Sequence, residues 1–209
     1  MKNGYFTVNG EFENTIVIER SKFICSVKGI KDESEAKQFI EEIRKKHSLA
    51  NHNCYAYIAD EKGLVQKFSD AGEPQGTAGM PMLEVLKSKK IYKTVAVVTR
   101  YFGGIKLGAG GLVRAYNGSV ADCLSRAKIS DMQVGTIFSV TLEYDGYSIL
   151  LKLLDNPAIK VQKTEFLNSV IVEFAVRADF VEKFKEQIID AFNGKISLQE
   201  KDSGYYDFG

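Results

Sequence analysis

Apolar side chains recur along this chain with two different periods, and the switches between those periods lay out its elements. The β-branched run over residues 13–19 predicts a strand, and 22–30 predicts a second. Asp32, Glu33 and Ser34 supply capping and early acidic charge for a helix whose apolar stripe is Ala36, Phe39, Ile40, Ile43 and Ala50. Strands follow at 53–59 and 64–68, around the polar turn 60–63. A Gly/Pro-rich turn over 69–79 enters a helix at 80–87, where Pro81 sits in the first turn and its missing N–H is not needed. The run Val95-Ala96-Val97-Val98 within 94–102 reads as a central strand buried on both faces. After a glycine-rich loop, Val113, Tyr116, Val120 and Leu124 stripe a helix over 112–127.

Composition and charge shift near Ser130, which divides the chain into domains over 1–130 and 131–209. The second half reads as strand 135–144, helix 147–154 ended by Pro157, strands 159–166 and 169–176, a helix through Val181, Phe184, Ile188 and Phe192, and strand 196–201. That βαββαβ order is the ferredoxin-like arrangement, so the fold class is α+β.

The 209 residues, 44% hydrophobic and 26% charged, have a globular composition, with disorder expected only at the two ends. No apolar run approaches the ~20 residues of a membrane span. The start at Met1-Lys2-Asn3-Gly4-Tyr5 lacks the apolar segment of a signal peptide. Cys25, Cys54 and Cys123 are odd in number and carry no CxxC spacing, which speaks against structural disulfides and a cysteine-rich zinc site. The chain reads as cytoplasmic. Its net charge of +1 conceals a basic first domain and an acidic second, so an anionic partner is expected on the first.

The stretch over residues 100–116 carries the most chemistry. Five glycines (Gly103, Gly104, Gly108, Gly110 and Gly111) lie between a strand and a helix, accompanied by Arg100, Lys106 and Arg114. Glycine permits positive φ and close backbone approach, and a helix N-terminus favours anions. The run is neither a P-loop nor a dinucleotide fingerprint: Ala109 follows Gly108 where a lysine belongs, and Val113 occupies the last glycine position. Packing of loop on sheet is the competing explanation for the glycines. In the turn 69–79, Asp70 and Glu73 suit acid–base work or magnesium, while Thr77 and the Gly/Pro spacing suit turn and helix-start chemistry. His47 and His52 are the only histidines, which excludes a multi-histidine metal site. His52 reads as a hydrogen-bonded corner residue or a proton shuttle, and Cys54 as a buried, inert thiol. Spacing yields no complete catalytic set and no cofactor motif.

Taken in order, 21–24, Ala50 with His52 and Ala56-Tyr57, 69–79 and 100–116 resemble the Impact/YigZ family. The resemblance covers about 20 to 127, and the C-terminal half looks like the extra domain of the bacterial members. Ala71 stands where the family has a second aspartate, which weakens a metal or catalytic reading of that turn. The resemblance implies a ribosomal-protein-S5-domain-2-like first domain, a ferredoxin-like second, and a role near translation through RNA, the ribosome or a translation-associated protein. In that reading Arg100, Lys106, Arg114 and the loop glycines hold phosphates, and His52, Asp70, Glu73 and Thr77 form a recognition or structural signature. The rival is a phosphate-metabolite enzyme, of kinase or hydrolase type, using the same loop as an anion cradle.

Overall fold

The computed structural model describes residues 4–209. Met1, Lys2 and Asn3, part of the stretch read above for a leader segment, lie outside the described residues. The chain divides into two compact units, one over Tyr5–Ser130 and a second that holds Asp131–Gly209.

The first unit runs β1 (Gly4–Val8), β2 (Glu11–Ile18), β3 (Ser21–Gly29), α1 (Glu33–Lys46), β4 (His52–Ile58), β5 (Gln66–Ser69), α2 (Gly79–Ser88), β6 (Thr94–Tyr101) and α3 (Gly108–Arg126). Its antiparallel sheet has the order β2-β3-β6-β4-β5, with β6 at the centre. Side chains alternate across a strand, so the unbroken apolar run of β6 feeds two layers at once. Val95 and Val97 join Phe39, Ile40 and Ile43 of α1. Ala96 and Val98 join Met82 and Leu86 of α2 and Tyr116 and Val120 of α3.

Helix α1 starts where its capping chemistry predicts, with the Asp32 carboxylate accepting the Glu35 N–H at 3.0 Å. Ala50 is not part of its stripe, because the helix ends at Lys46 and the His47 N–H returns to the Ile43 carbonyl. Strand β1 carries no signal separable from an irregular end. Its Phe6 exchanges backbone hydrogen bonds with Lys90 and Tyr92, partners more than eighty residues away. Helix α3 begins at Gly108 and not at Leu112. Gly108, Gly110 and Gly111 therefore belong to the helix, and the loop proper is shorter than the glycines suggest.

The second unit follows the ferredoxin-like pattern: β7 (Ile129–Leu142), α4 (Tyr144–Leu154), β8 (Ile159–Phe166), β9 (Val170–Arg177), a 3₁₀ turn (Ala178–Phe180), α5 (Val181–Ala191) and β10 (Leu198–Asp207). The antiparallel order is β10-β7-β9-β8. Phe138, Val140, Val172 and Phe174 pack one sheet face against Leu150 of α4 and Phe184 and Ile188 of α5. The opposite face carries ion pairs: Lys163 pairs with Glu165 at 2.7 Å, and Lys201 with Glu173. Strand β10 runs well past its predicted end at 201. Its polar residues carry no apolar alternation, and pairing with β7 holds them across a register shift between Glu200 and Ser203. No helix among the described residues is long and apolar enough to cross a membrane.

Candidate functional site at the start of α3

Strand register brings the first residues together. Arg100 of β6 lies opposite His52 of β4 on one side and Phe23 of β3 on the other. The turn 69–79 closes over this end of the sheet and is organised by Asp70. One carboxylate oxygen of Asp70 accepts the N–H groups of Ala78 and Gly79 (3.0 and 2.8 Å), and the other accepts that of Gly76 at 2.8 Å. Thr77 donates its hydroxyl to the Pro74 carbonyl at 2.6 Å. Asp70 and Thr77 thus hold the turn, and that turn delivers Glu73 beneath the sheet end.

Glu73 is buried. Its Oε1 accepts hydrogen bonds from Arg100 Nη1 and from the Tyr116 hydroxyl of α3, both at 2.8 Å. The Arg100 guanidinium lies over the rings of Phe23 and Phe102, at 5.4 and 5.5 Å from their centroids. Its Nη2 donates weakly to Ser21 Oγ at 3.4 Å, and its buried Nε has no partner among the described residues. Arg100 is therefore not one of three cations converging on a phosphate, as the sequence pattern implied. A buried carboxylate already neutralises it, and this pair forms the floor of the site. Burial pushes the Tyr116 hydroxyl well above the ordinary tyrosine range. Burial likewise pushes the Cys54 thiol up to about 12, and its Sγ donates to the Asp70 carbonyl at 2.9 Å.

The glycines divide by role. A Cβ on Gly103 would lie 2.0 Å from the carbonyl carbon of Arg20, so only glycine lets this loop rest against the β2–β3 turn. Gly108 enters α3 with φ +68°, in the left-handed region that favours glycine. Gly110 has neither constraint, because the nearest atom to its Cβ would be Arg114 Nη1 at 3.6 Å. Gly103 is thus a packing glycine, while α3 starts in open space from Gly108 onward.

Leu107 occupies the N-cap of α3 without a side-chain cap, and the first turn contains no acidic residue. This N-terminus opens into a hollow of about 370 Å³ lined by His52, Glu73, Arg100, Phe102, Lys106 and Gly108, among others. Lys106 and Phe102 are exposed at it. Arg114 faces a neighbouring depression beside Glu19, so of the three predicted cations only Arg100 and Lys106 line the hollow. Tyr116 counts as a core stripe residue by periodicity, and nothing in the pattern marks Asn51 or Phe102. Asn51 fastens the loop by accepting the Phe102 N–H at 2.8 Å, a contact that only the fold creates. Among the described residues, no group of three or more His, Cys, Asp or Glu side chains converges as a metal site.

The Impact N-terminal domain matches residues 19–124, and a domain of unknown function, DUF1949, matches 140–195. The Impact family member YvyE of Bacillus subtilis (strain 168) is 40% identical over 98% of this chain and 94% of its own length. The member YigZ of Escherichia coli (strain K12) is 34% identical over 87% of this chain and 90% of its own. A crystal structure of a hypothetical protein, 31% identical, aligns with a TM-score of 0.60 over 97% of this chain and 98% of that one. With one family domain spanning half of its length and relatives matching nearly end to end, the chain belongs to the Impact family.

Proposed function

We propose that the protein is a cytoplasmic translation regulator that binds RNA, free or ribosomal, through the hollow at the start of α3. One observation carries the reading: the uncapped α3 N-terminus, the Lys106 ammonium and the exposed Phe102 ring border the same hollow. Helix-end amides and an ammonium favour phosphate, and an exposed ring gives a base a stacking surface. Arg100, stacked beneath Phe102 and paired with Glu73, supports that ring and contributes little free charge. Family membership supports the translational setting.

The test is a salt titration of binding to a labelled single-stranded oligoribonucleotide, with ribosome co-sedimentation beside it. Log affinity is expected to fall linearly with log salt, by about 0.7 per phosphate neutralised, and RNase is expected to release the protein from ribosomal pellets. Binding that resists RNase would point to a protein partner. The second reading, a phosphate-metabolite enzyme, draws on His52 Nε2 and Glu73 Oε2, which sit 3.9 Å apart. It predicts a shallow salt dependence and turnover of a phosphorylated small molecule.

A further inference from the structure

We infer that the hollow recognises the 2′,3′-cis-diol of a ribonucleotide, an inference that rests on the RNA reading above and sharpens it. His52 Nδ1 lies 3.0 Å from the Ala71 carbonyl oxygen. A carbonyl only accepts, so Nδ1 carries a proton, and in the singly protonated ring Nε2 presents a lone pair. Both hydrogen bonds to Glu73 fall on Oε1. Oε2 has His52 Nε2 at 3.9 Å, beyond hydrogen-bond reach, although the Glu73 side chain is only 3% exposed. Two acceptors therefore face each other at the wall of the hollow, and no donor among the described residues lies between them.

Unpaired acceptors at the wall of a hollow call for donors. A phosphate or carboxylate brings only lone pairs and is repelled here. A single hydroxyl brings one proton and serves one acceptor. Two adjacent hydroxyls on one ring bring two protons, each oxygen lying ~2.7–2.8 Å from its own acceptor. The anion-seeking groups, Lys106 and the α3 N-terminus, border the same hollow. The matching ligand carries a diol for His52 and Glu73, a phosphate for Lys106 and α3, and a flat base for Phe102. That is a ribonucleotide with free 2′ and 3′ hydroxyls, either a mononucleotide or the 3′-terminal residue of an RNA. The volume of about 370 Å³ is that of a single small-ligand site.

Calorimetric titration of the full chain with adenosine 5′-monophosphate, its 2′-deoxy form and its 2′,3′-dideoxy form tests the inference without altering the protein. Each hydroxyl removed is expected to weaken binding by about tenfold. In His52→Ala the preference for the ribo form over the dideoxy form should shrink by about tenfold. Octaribonucleotides ending in a 3′-hydroxyl or a 3′-phosphate separate the two sources: a preference for the hydroxyl end identifies an RNA terminus, and equal binding identifies a free nucleotide. Equal affinity for the ribo and dideoxy forms would overturn the diol while leaving salt-dependent RNA binding intact. Absence of binding by every nucleotide and oligonucleotide at low salt would overturn both.

Discussion

The start of α3 in the first unit and the outer sheet face of the second handle charge in opposite ways. On the sheet face, Lys163 meets Glu165 and Lys201 of β10 meets Glu173 of β9, while Lys185 of α5 meets both Glu182 and Glu200. At the start of α3, the carboxylate lies beneath the surface with Arg100, while Lys106 and Arg114 remain exposed and make no ion pair among the described residues. A face that neutralises itself has little field left for a ligand, whereas a neutral floor below exposed cations and helix amides leaves its field directed outward. Placement, more than the number of basic residues, decides how much charge a surface leaves unpaired.

The sharpest way to break this comparison is the buried pair. Glu73→Gln leaves the Arg100 guanidinium buried without a counter-charge, and a loss of about 3–5 kcal/mol is expected in urea denaturation. Lys163→Ala on the exposed sheet face should leave the same transition unmoved. A smaller effect separates the glycines. Gly103→Ala forces backbone apart and should cost about 1–3 kcal/mol. Gly110→Ala, in open space on a helix, should stabilise by about 0.5–1 kcal/mol. Equal losses at the two positions would mean that α3 does not begin where it is placed.

Lys106→Glu should leave the melting temperature unchanged and flatten the salt dependence of RNA binding by about 0.7 in log–log slope, an effect Lys163→Ala should not reproduce. The last effect is confined to alkaline pH and belongs to the first unit, where all three cysteines lie buried. Folded Cys54 keeps its proton up to about 12, while an unfolded thiol releases it near ~8.5. Between those values the folded state binds more protons. The Cys54 contribution is therefore complete below the free-thiol range and declines as pH rises toward 12. Cys54→Ala should flatten the alkaline limb of a stability–pH profile, and an unchanged limb would remove Cys54 as its cause.

Much of the architecture was legible in the residues themselves. The burial of the Val95–Val98 strand on both faces, the capping of α1 by Asp32 and the βαββαβ order of the second unit all follow from periodicity and capping chemistry, which act over a few residues. The same local rules mark the stretch 100–116 as a place where backbone and charge are unusual. They could not say that Arg100 turns inward, that Gly110 is an ordinary helical residue, or that Arg114 faces a different depression.

What the sequence alone determined, then, is most of the strands and helices, β1 and the end of β10 apart, and which stretch has unusual backbone and charge, because those depend on neighbours one to four positions away. Tertiary structure alone decided which charges of the site are paired and the directions of its acceptors. Glu73 meets Arg100 across 27 positions and Tyr116 across 43, and His52 is turned by the carbonyl of Ala71, 19 positions on. Electrostatics in a buried site depend on distance through space, and no spacing along the chain encodes that distance before the sheet has formed.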